Sequence, residues 1–111
     1  MRKPSEVGRR RRFVRLPVSL PVIAWVPAQG GQELRGTLRR VGAGGLEVEF
    51  PEAVKPGTTL RVRLRTRDGP VEVEAKVVFA RPAGNAIRHG LAFPEPKPPG
   101  FAMDLFLAEA R

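Results

Sequence analysis

From Leu60 to Val77 the chain alternates apolar and charged residues around a single turn. Leu60, Val62 and Leu64 alternate with Arg61, Arg63 and Arg65; after Asp68-Gly69, the residues Val71, Val73, Ala75 and Val77 alternate with Glu72, Glu74 and Lys76. A period of two places one set on each face of a pleated strand. Asp-Gly between two such runs is a strong hairpin signal. The segment therefore reads as a β-hairpin with an apolar inner face and a charged outer one. Opposed Arg and Glu side chains on neighbouring strands contribute roughly 0.2–1 kcal/mol per pair. A solvated, ion-paired wall thus accounts for this stripe without any ligand.

The rest of the chain repeats the theme in shorter pieces, punctuated by twelve prolines and twelve glycines. Val18 to Val26 is β-like, but Pro21 lies inside it and cannot donate to a ladder, which predicts an edge position or a bulge there. Ala28 to Gln32 reads as a Gly-Gly loop. Glu33 to Val41 reads as a second strand with Leu34 and Leu38 on the buried side. Gly42 to Gly45 is a tight connection whose glycines are suited to positive φ. Leu46, Val48 and Phe50 then alternate with Glu47 and Glu49, a half-buried strand with its glutamates outward. Lys55-Pro56-Gly57 marks a turn, Pro82 to Arg88 a loop, and Gly90 to Phe93 a last short strand. After a Pro94 to Gly100 linker, Phe101 to Ala110 is the one helical window, with Phe101, Leu105 and Ala108 as its apolar stripe. Six β segments in one domain leave two edges open to aggregation unless the sheet closes. The expected fold is all-β, a six-stranded antiparallel closed barrel with a short C-terminal helix that caps one end.

Composition excludes several functions. The chain of 111 residues has no cysteine, so it has no disulfide framework and no thiolate chemistry. The single histidine, His89, cannot form a metal cluster alone and reads as a turn or strand residue. No carboxylate pair, nucleophile–base pair or metal set can be assembled, so no enzymatic activity is expected. No apolar run is long enough to span a membrane, and the basic N-terminus lacks the apolar stretch of a secretory signal; a cytoplasmic location is expected.

Charge is concentrated at one end. Residues 1–15 carry seven basic side chains against one acid, Glu6, giving +6 of the formal +9. Residues 1–8, with Pro4 and Gly8 and no periodicity, read as a flexible leader; Arg9, Arg10, Arg11, Arg12 and Arg15 follow, directly before the first strand. Guanidinium groups this close repel one another unless solvated or gathered around an anion. Their planar donors fit phosphate oxygens and, equally, the O6/N7 edge of guanine. A localised positive end is a docking feature for an anionic partner, although basic blocks also occur as mere solubilising tails.

The arrangement of a basic stretch before strand one, a glycine-rich connection after strand two and a six-stranded barrel resembles the PilZ domain family over about residues 9–108. Arg11-Arg12-Phe13-Val14-Arg15 fits the family's RxxxR motif, with Arg10 in front. Gly44-Gly45-Leu46, Pro56-Gly57-Thr58 and Gly90-Leu91-Ala92-Phe93 agree with the family pattern less specifically. The resemblance implies a receptor for the bacterial second messenger cyclic di-GMP, with Arg10, Arg11, Arg12 and Arg15 holding phosphates and guanine edges. The second motif, D/NxSxxG, would close the other side of the ligand. Here it reads Arg40-Val41-Gly42-Ala43-Gly44-Gly45: the final Gly45 is kept, whereas Arg40 stands at the Asp/Asn position and Gly42 at the Ser position. A cation cannot accept from the guanine N1/N2 donors, but Arg40 can stack on a guanine face or meet a phosphate.

The resemblance thus implies a receptor and adaptor domain that binds cyclic di-GMP, needs no further cofactor, reorders its arginine segment around the ligand and signals to a protein effector. A homodimer is compatible with this reading. The altered Arg40 and Gly42 keep a second reading open, a protein-interaction module of the same fold that has lost the nucleotide. Nucleic acid is not expected as a partner. The chain has no tyrosine and one tryptophan, Trp25, which suits the barrel wall better than base stacking, and its six phenylalanines fall mostly at core-like positions.

Overall fold

The computed structural model describes residues 15–66, 68–98 and 100–109. The leader expected over residues 1–8 and the arginine run through Arg12 lie outside them. Six antiparallel strands, β1 (Arg15–Val26), β2 (Gln32–Gly42), β3 (Gly45–Phe50), β4 (Thr59–Thr66), β5 (Gly69–Ala83) and β6 (Ala86–Ala92), close into a barrel in the order β1-β2-β3-β6-β5-β4. One helix, α1 (Phe101–Glu109), follows. It packs on β1, β2 and β4.

Alternation decides which side chains enter the barrel. Leu60, Val62 and Leu64 of β4 and Val73, Ala75 and Val77 of β5 are buried, joined by Leu46, Val48 and Phe50 of β3 and by Leu38 and Val41 of β2. Leu34 is only half-buried and packs against this core. Leu105 of α1 completes it with no exposed surface, supported by Phe101, Ala102 and Phe106. Val71, expected inside, is 38% exposed, because it lies close to the hairpin tip. In that hairpin Thr66 Oγ1 donates to the Gly69 carbonyl at 2.7 Å and accepts from the Asp68 N–H at 3.2 Å. Gly69 itself sits at φ +114°, a region closed to most side chains.

Three sequence expectations are corrected. β1 starts at Arg15, not Val18, and is an interior member of the closed ring; its bulge falls between Pro17 and Leu20. Pro21 still acts: β1 pairs with β4 only over Ile23–Trp25, and the next steps would set Pro21, which lacks an N–H, against Arg65. The segment 82–88 is not a loop. β5 continues to Ala83, β6 begins at Ala86, and Gly84 (φ +67°) and Asn85 make a two-residue turn. The prolines and glycines that suggested a loop lie at the end of a hairpin, where the missing Pro82 N–H is tolerated. Finally, positive φ occurs at Gly30, Gly31 and Gly57 but not at Gly42, Gly44 or Gly45.

His89 is a strand residue with no exposed surface. Its Nε2 accepts from the Val54 N–H at 2.8 Å, which leaves Nδ1 as the donor to the Ile87 carbonyl at 3.0 Å. Burial lowers its pKa below the ordinary 6.5, so the ring is neutral and ties the β3–β4 connection to β6. Phe50 meets it edge-on, with ring centroids 5.1 Å apart.

Candidate functional site

The β1–β2 ladder brings the two motifs of the sequence together. Arg15, the last residue of the first motif, stands opposite Gly42, and Pro17 stands opposite Arg40. Arg15 and the second motif therefore lie at one end of the β1–β2 ladder, although Arg15 and Arg40 are 25 residues apart in the chain.

Register then lays a row across the outer wall. Arg40 pairs with Glu47, Glu47 with Gly90, and Gly90 with Phe79. A neighbouring row carries Thr37, Glu49, Arg88 and Arg81. A bulge between Leu38 and Arg40 adds one residue to β2. In a regular strand Arg39 and Arg40 would point to opposite faces; the bulge lets both reach the glutamates of β3.

The result is a set of ion pairs around two carboxylates. Glu47 Oε2 accepts from Arg15 Nη1 at 2.5 Å, and its Oε1 accepts from Arg88 Nη1 at 3.1 Å, with Arg40 Nε 4.0 Å away. Glu49 Oε2 accepts from both Nε (3.1 Å) and Nη2 (2.8 Å) of Arg88, while its Oε1 accepts from Arg39 Nε at 3.1 Å. Arg39 also reaches Ser19 Oγ at 3.4 Å. The expectation that these glutamates are exposed is overturned: the side chain of Glu47 is 10% exposed and that of Glu49 15%. The arginines of β1, β2 and β6 cover them. Hydrogen bonding from Arg88 pulls the Glu49 carboxyl below its ordinary 4.5 against the opposing effect of burial, with Arg39 assisting. The same bond raises the Arg88 pKa.

Among the described residues four guanidinium groups thus meet two carboxylates, which gives the cluster a local charge of +2 there. Arg15, Arg39 and Arg40 lie on its outer side, with side chains 39%, 41% and 46% exposed, while Arg88 is only 27% exposed. A surface that keeps uncompensated guanidinium charge beside a covered carboxylate is suited to an anion with hydrogen-bond acceptors.

The remaining site residues divide by role. Arg10, Arg11 and Arg12 lie outside the described residues. Gly45 has a packing role: a Cβ there would collide with the backbone carbonyl of Leu91 on β6. The Ala43-Gly44 turn that carries the second motif is fastened from behind by the linker, with Phe93 N–H donating to Gly44 O at 3.0 Å and Lys97 N–H to Ala43 O at 2.7 Å. Phe79 was not singled out from the sequence, because it falls where β5 has a bulge between Val77 and Phe79. Its ring occupies the space that the missing side chain of Gly90 leaves, and the Arg81 guanidinium lies 4.5 Å from its centroid. It is half-buried on the same wall as the arginines. The only signals in the sequence were the Phe79/Gly90 size match and the broken alternation at Val77-Val78-Phe79. Trp25 is a wall residue of β1, 5.2 Å from the Arg63 guanidinium.

The family model of the PilZ domain matches residues 9–102. The chain belongs to the PilZ family, whose members are binding and adaptor domains and not enzymes. Solved structures share the fold. The PilZ domain of Escherichia coli YcgR, determined with cyclic di-GMP, superimposes with a TM-score of 0.69 at 16% identity, over 92% of each chain. The longer YcgR structure with cyclic di-GMP gives 0.64 at 18% identity over 86% of this chain and 42% of its own. The Bacillus subtilis inhibitor of motility MotI/DgrA gives 0.66 at 23% identity, over 91% of this chain. The present chain spans 50% of the length of MotI/DgrA. No curated protein matches the chain. Among the described residues no helix is long and apolar enough to cross a membrane, and no group of three potential metal ligands occurs.

Proposed function

We propose that this domain is a receptor for cyclic di-GMP that binds at the Arg15–Arg40 end of the barrel wall. The observation that carries the reading is the register placing Arg15 opposite Gly42, with Arg40 two residues further inward, so that the last residue of the first motif and the second motif border one positively charged surface. The local excess of two positive charges suits the two phosphates of the ligand, and guanidinium donors suit its guanine O6/N7 edges. Arg10, Arg11 and Arg12, which precede β1 in the chain, supply further donors.

In this reading the altered second motif weakens the site without abolishing it. A bidentate base contact is worth about 1–3 kcal/mol, or roughly 5- to 150-fold in affinity. Micromolar binding needs about 8 kcal/mol, and each charge-assisted bond contributes about 1.5–3 kcal/mol. The arginines preceding and including Arg15 suffice for that. Ligand binding draws the arginine segment onto the barrel and so creates or hides a surface read by a protein effector.

Titration calorimetry with cyclic di-GMP at low salt tests the reading. Heat with micromolar affinity, a preference over GMP at equal salt, and loss of binding in Arg11→Ala are expected. Absence of both heat and thermal shift would refute it. A second reading has one observation in its favour: Glu47 already engages Arg15, and Arg40 replaces an acceptor. In that case the wall is a protein-docking face, and the domain acts without the nucleotide.

A further inference from the structure

We infer that Glu47 is a positioning residue of the proposed nucleotide site: it fixes the Arg15 guanidinium at the rim of the wall, through a relay that runs Glu49–Arg88–Glu47–Arg15. The inference rests on the receptor reading and adds to it a residue outside both motifs.

The geometry of the relay is rigid at its inner end and open at its outer end. Arg88 grips Glu49 with two donors, at 2.8 and 3.1 Å, and turns its third, Nη1, to Glu47 Oε1 at 3.1 Å. A guanidinium engaged along both edges has no freedom to rotate. It therefore immobilises the Glu47 carboxylate, whose second oxygen holds Arg15 Nη1 at 2.5 Å. Among the described residues the contact occupies a single donor of Arg15, the other four of its five N–H donors meet no partner there, and the side chain is 39% exposed. Arg40, 4.0 Å from the same carboxylate, is held more loosely. An arginine held in place before the ligand arrives does not lose its rotamer freedom on binding, and this loss is a main cost of using long side chains.

Two effects of Glu47 on binding oppose each other. As an anion beside the site it repels phosphate; as a brace it orders Arg15. The brace dominates in this geometry. Arg15, Arg39, Arg40 and Arg88 already outnumber the carboxylates two to one, so removing one negative charge adds little attraction. Unfastening Arg15 costs the order of a contact that points at the ligand.

The test uses the full chain and two readouts. In 15N–1H spectra, the Arg15 side-chain signal, assigned by its loss in Arg15→Lys, is expected to show slow guanidinium rotation in the wild type and fast rotation in Glu47→Gln. Unchanged rotation would overturn the inference. In titrations with cyclic di-GMP, Glu47→Gln is expected to weaken binding about five- to tenfold, although the variant is more positive than the wild type. Equal or tighter binding by the variant would overturn it as well. Should Glu47→Gln fail to fold, Arg88→Lys keeps the cation but loses the fork, and is expected to loosen Arg15 and weaken binding by about two- to threefold; unaltered Arg15 rotation and affinity in it would count against the relay. A wild type that binds no cyclic di-GMP while Arg15 remains braced would sink the receptor reading and leave the brace standing.

Discussion

Two stretches of the barrel wall carry the same chemistry and behave differently. The β4–β5 hairpin sets Arg61 and Arg63 against Glu72, with distances of 3.8 and 3.0 Å, and Glu72 is 37% exposed. The β1–β2–β3–β6 wall sets Arg15, Arg39, Arg40 and Arg88 against Glu47 and Glu49, whose side chains are only 10% and 15% exposed. Exposed pairs are screened and typically contribute 0.2–1 kcal/mol. Shielded carboxylates with several charge-assisted bonds contribute more, and leaving their cations without partners is costly. The difference teaches that an arginine–glutamate stripe says little about function until the solvent around the carboxylates is known. The first wall is a solvated face. The second is an ordered cluster with charge to spare.

The largest test of the contrast is ligand binding. Arg15→Ala is expected to weaken cyclic di-GMP binding roughly 5- to 150-fold, the value of a bidentate contact, while Arg63→Ala changes it less than about twofold; calorimetry on both variants decides. Equal losses in the two would mean that binding follows overall charge and not the site.

Stability provides the next test. Glu47→Ala leaves Arg15 and Arg88 without their shared acceptor and is expected to cost about 1–3 kcal/mol in urea unfolding. Glu72→Ala is expected to cost under about 1 kcal/mol. The reverse order would erase the distinction between the walls.

Acid sharpens the comparison further. The Glu49 carboxyl is held below its ordinary 4.5 in the folded state, first by the Arg88 hydrogen bond. The unfolded chain therefore takes up the proton first as the pH falls. The stabilisation is complete above about pH 4.5 and is lost as the pH drops toward the folded value. Glu49→Gln should flatten this acid limb in a plot of Tm against pH. His89 adds a separate limb of the same sign: its pKa is lowered by burial, so stability declines as the pH falls below 6.5, and His89→Gln should remove that decline.

The smallest expected effect is that of salt. Raising sodium chloride from low to high concentration shortens the screening length from about 30 Å to about 3 Å. The cost of Glu72→Ala should shrink toward zero under these conditions, while most of the Glu47→Ala cost persists. Parallel urea titrations at the two salt concentrations report the difference.

Much of the fold could be read from local pattern. The β4–β5 hairpin, the outward arginines of β4 and the buried Leu105 all follow from spacing and turn chemistry. The misreadings have local causes too. Pro82 and Gly84 suggested a loop, but a proline near the last rung of a hairpin removes no needed donor. Glu47 and Glu49 looked exposed because alternation reports which side of the strand a residue takes, not what covers that side. Phe79 escaped notice because a bulge shifts it out of phase.

The amino-acid order by itself determined the alternating strands with their tight turns and the clustering of positive charge ahead of β1, since both depend on residues adjacent in the chain. Only the tertiary structure decided that Arg15 faces Gly42, that Arg88 reaches Glu47 across 41 positions, and that two glutamates are shielded from water. Those facts depend on ladder register and bulges between distant strands. The free energy of such pairings resides in contacts that no short window of sequence contains.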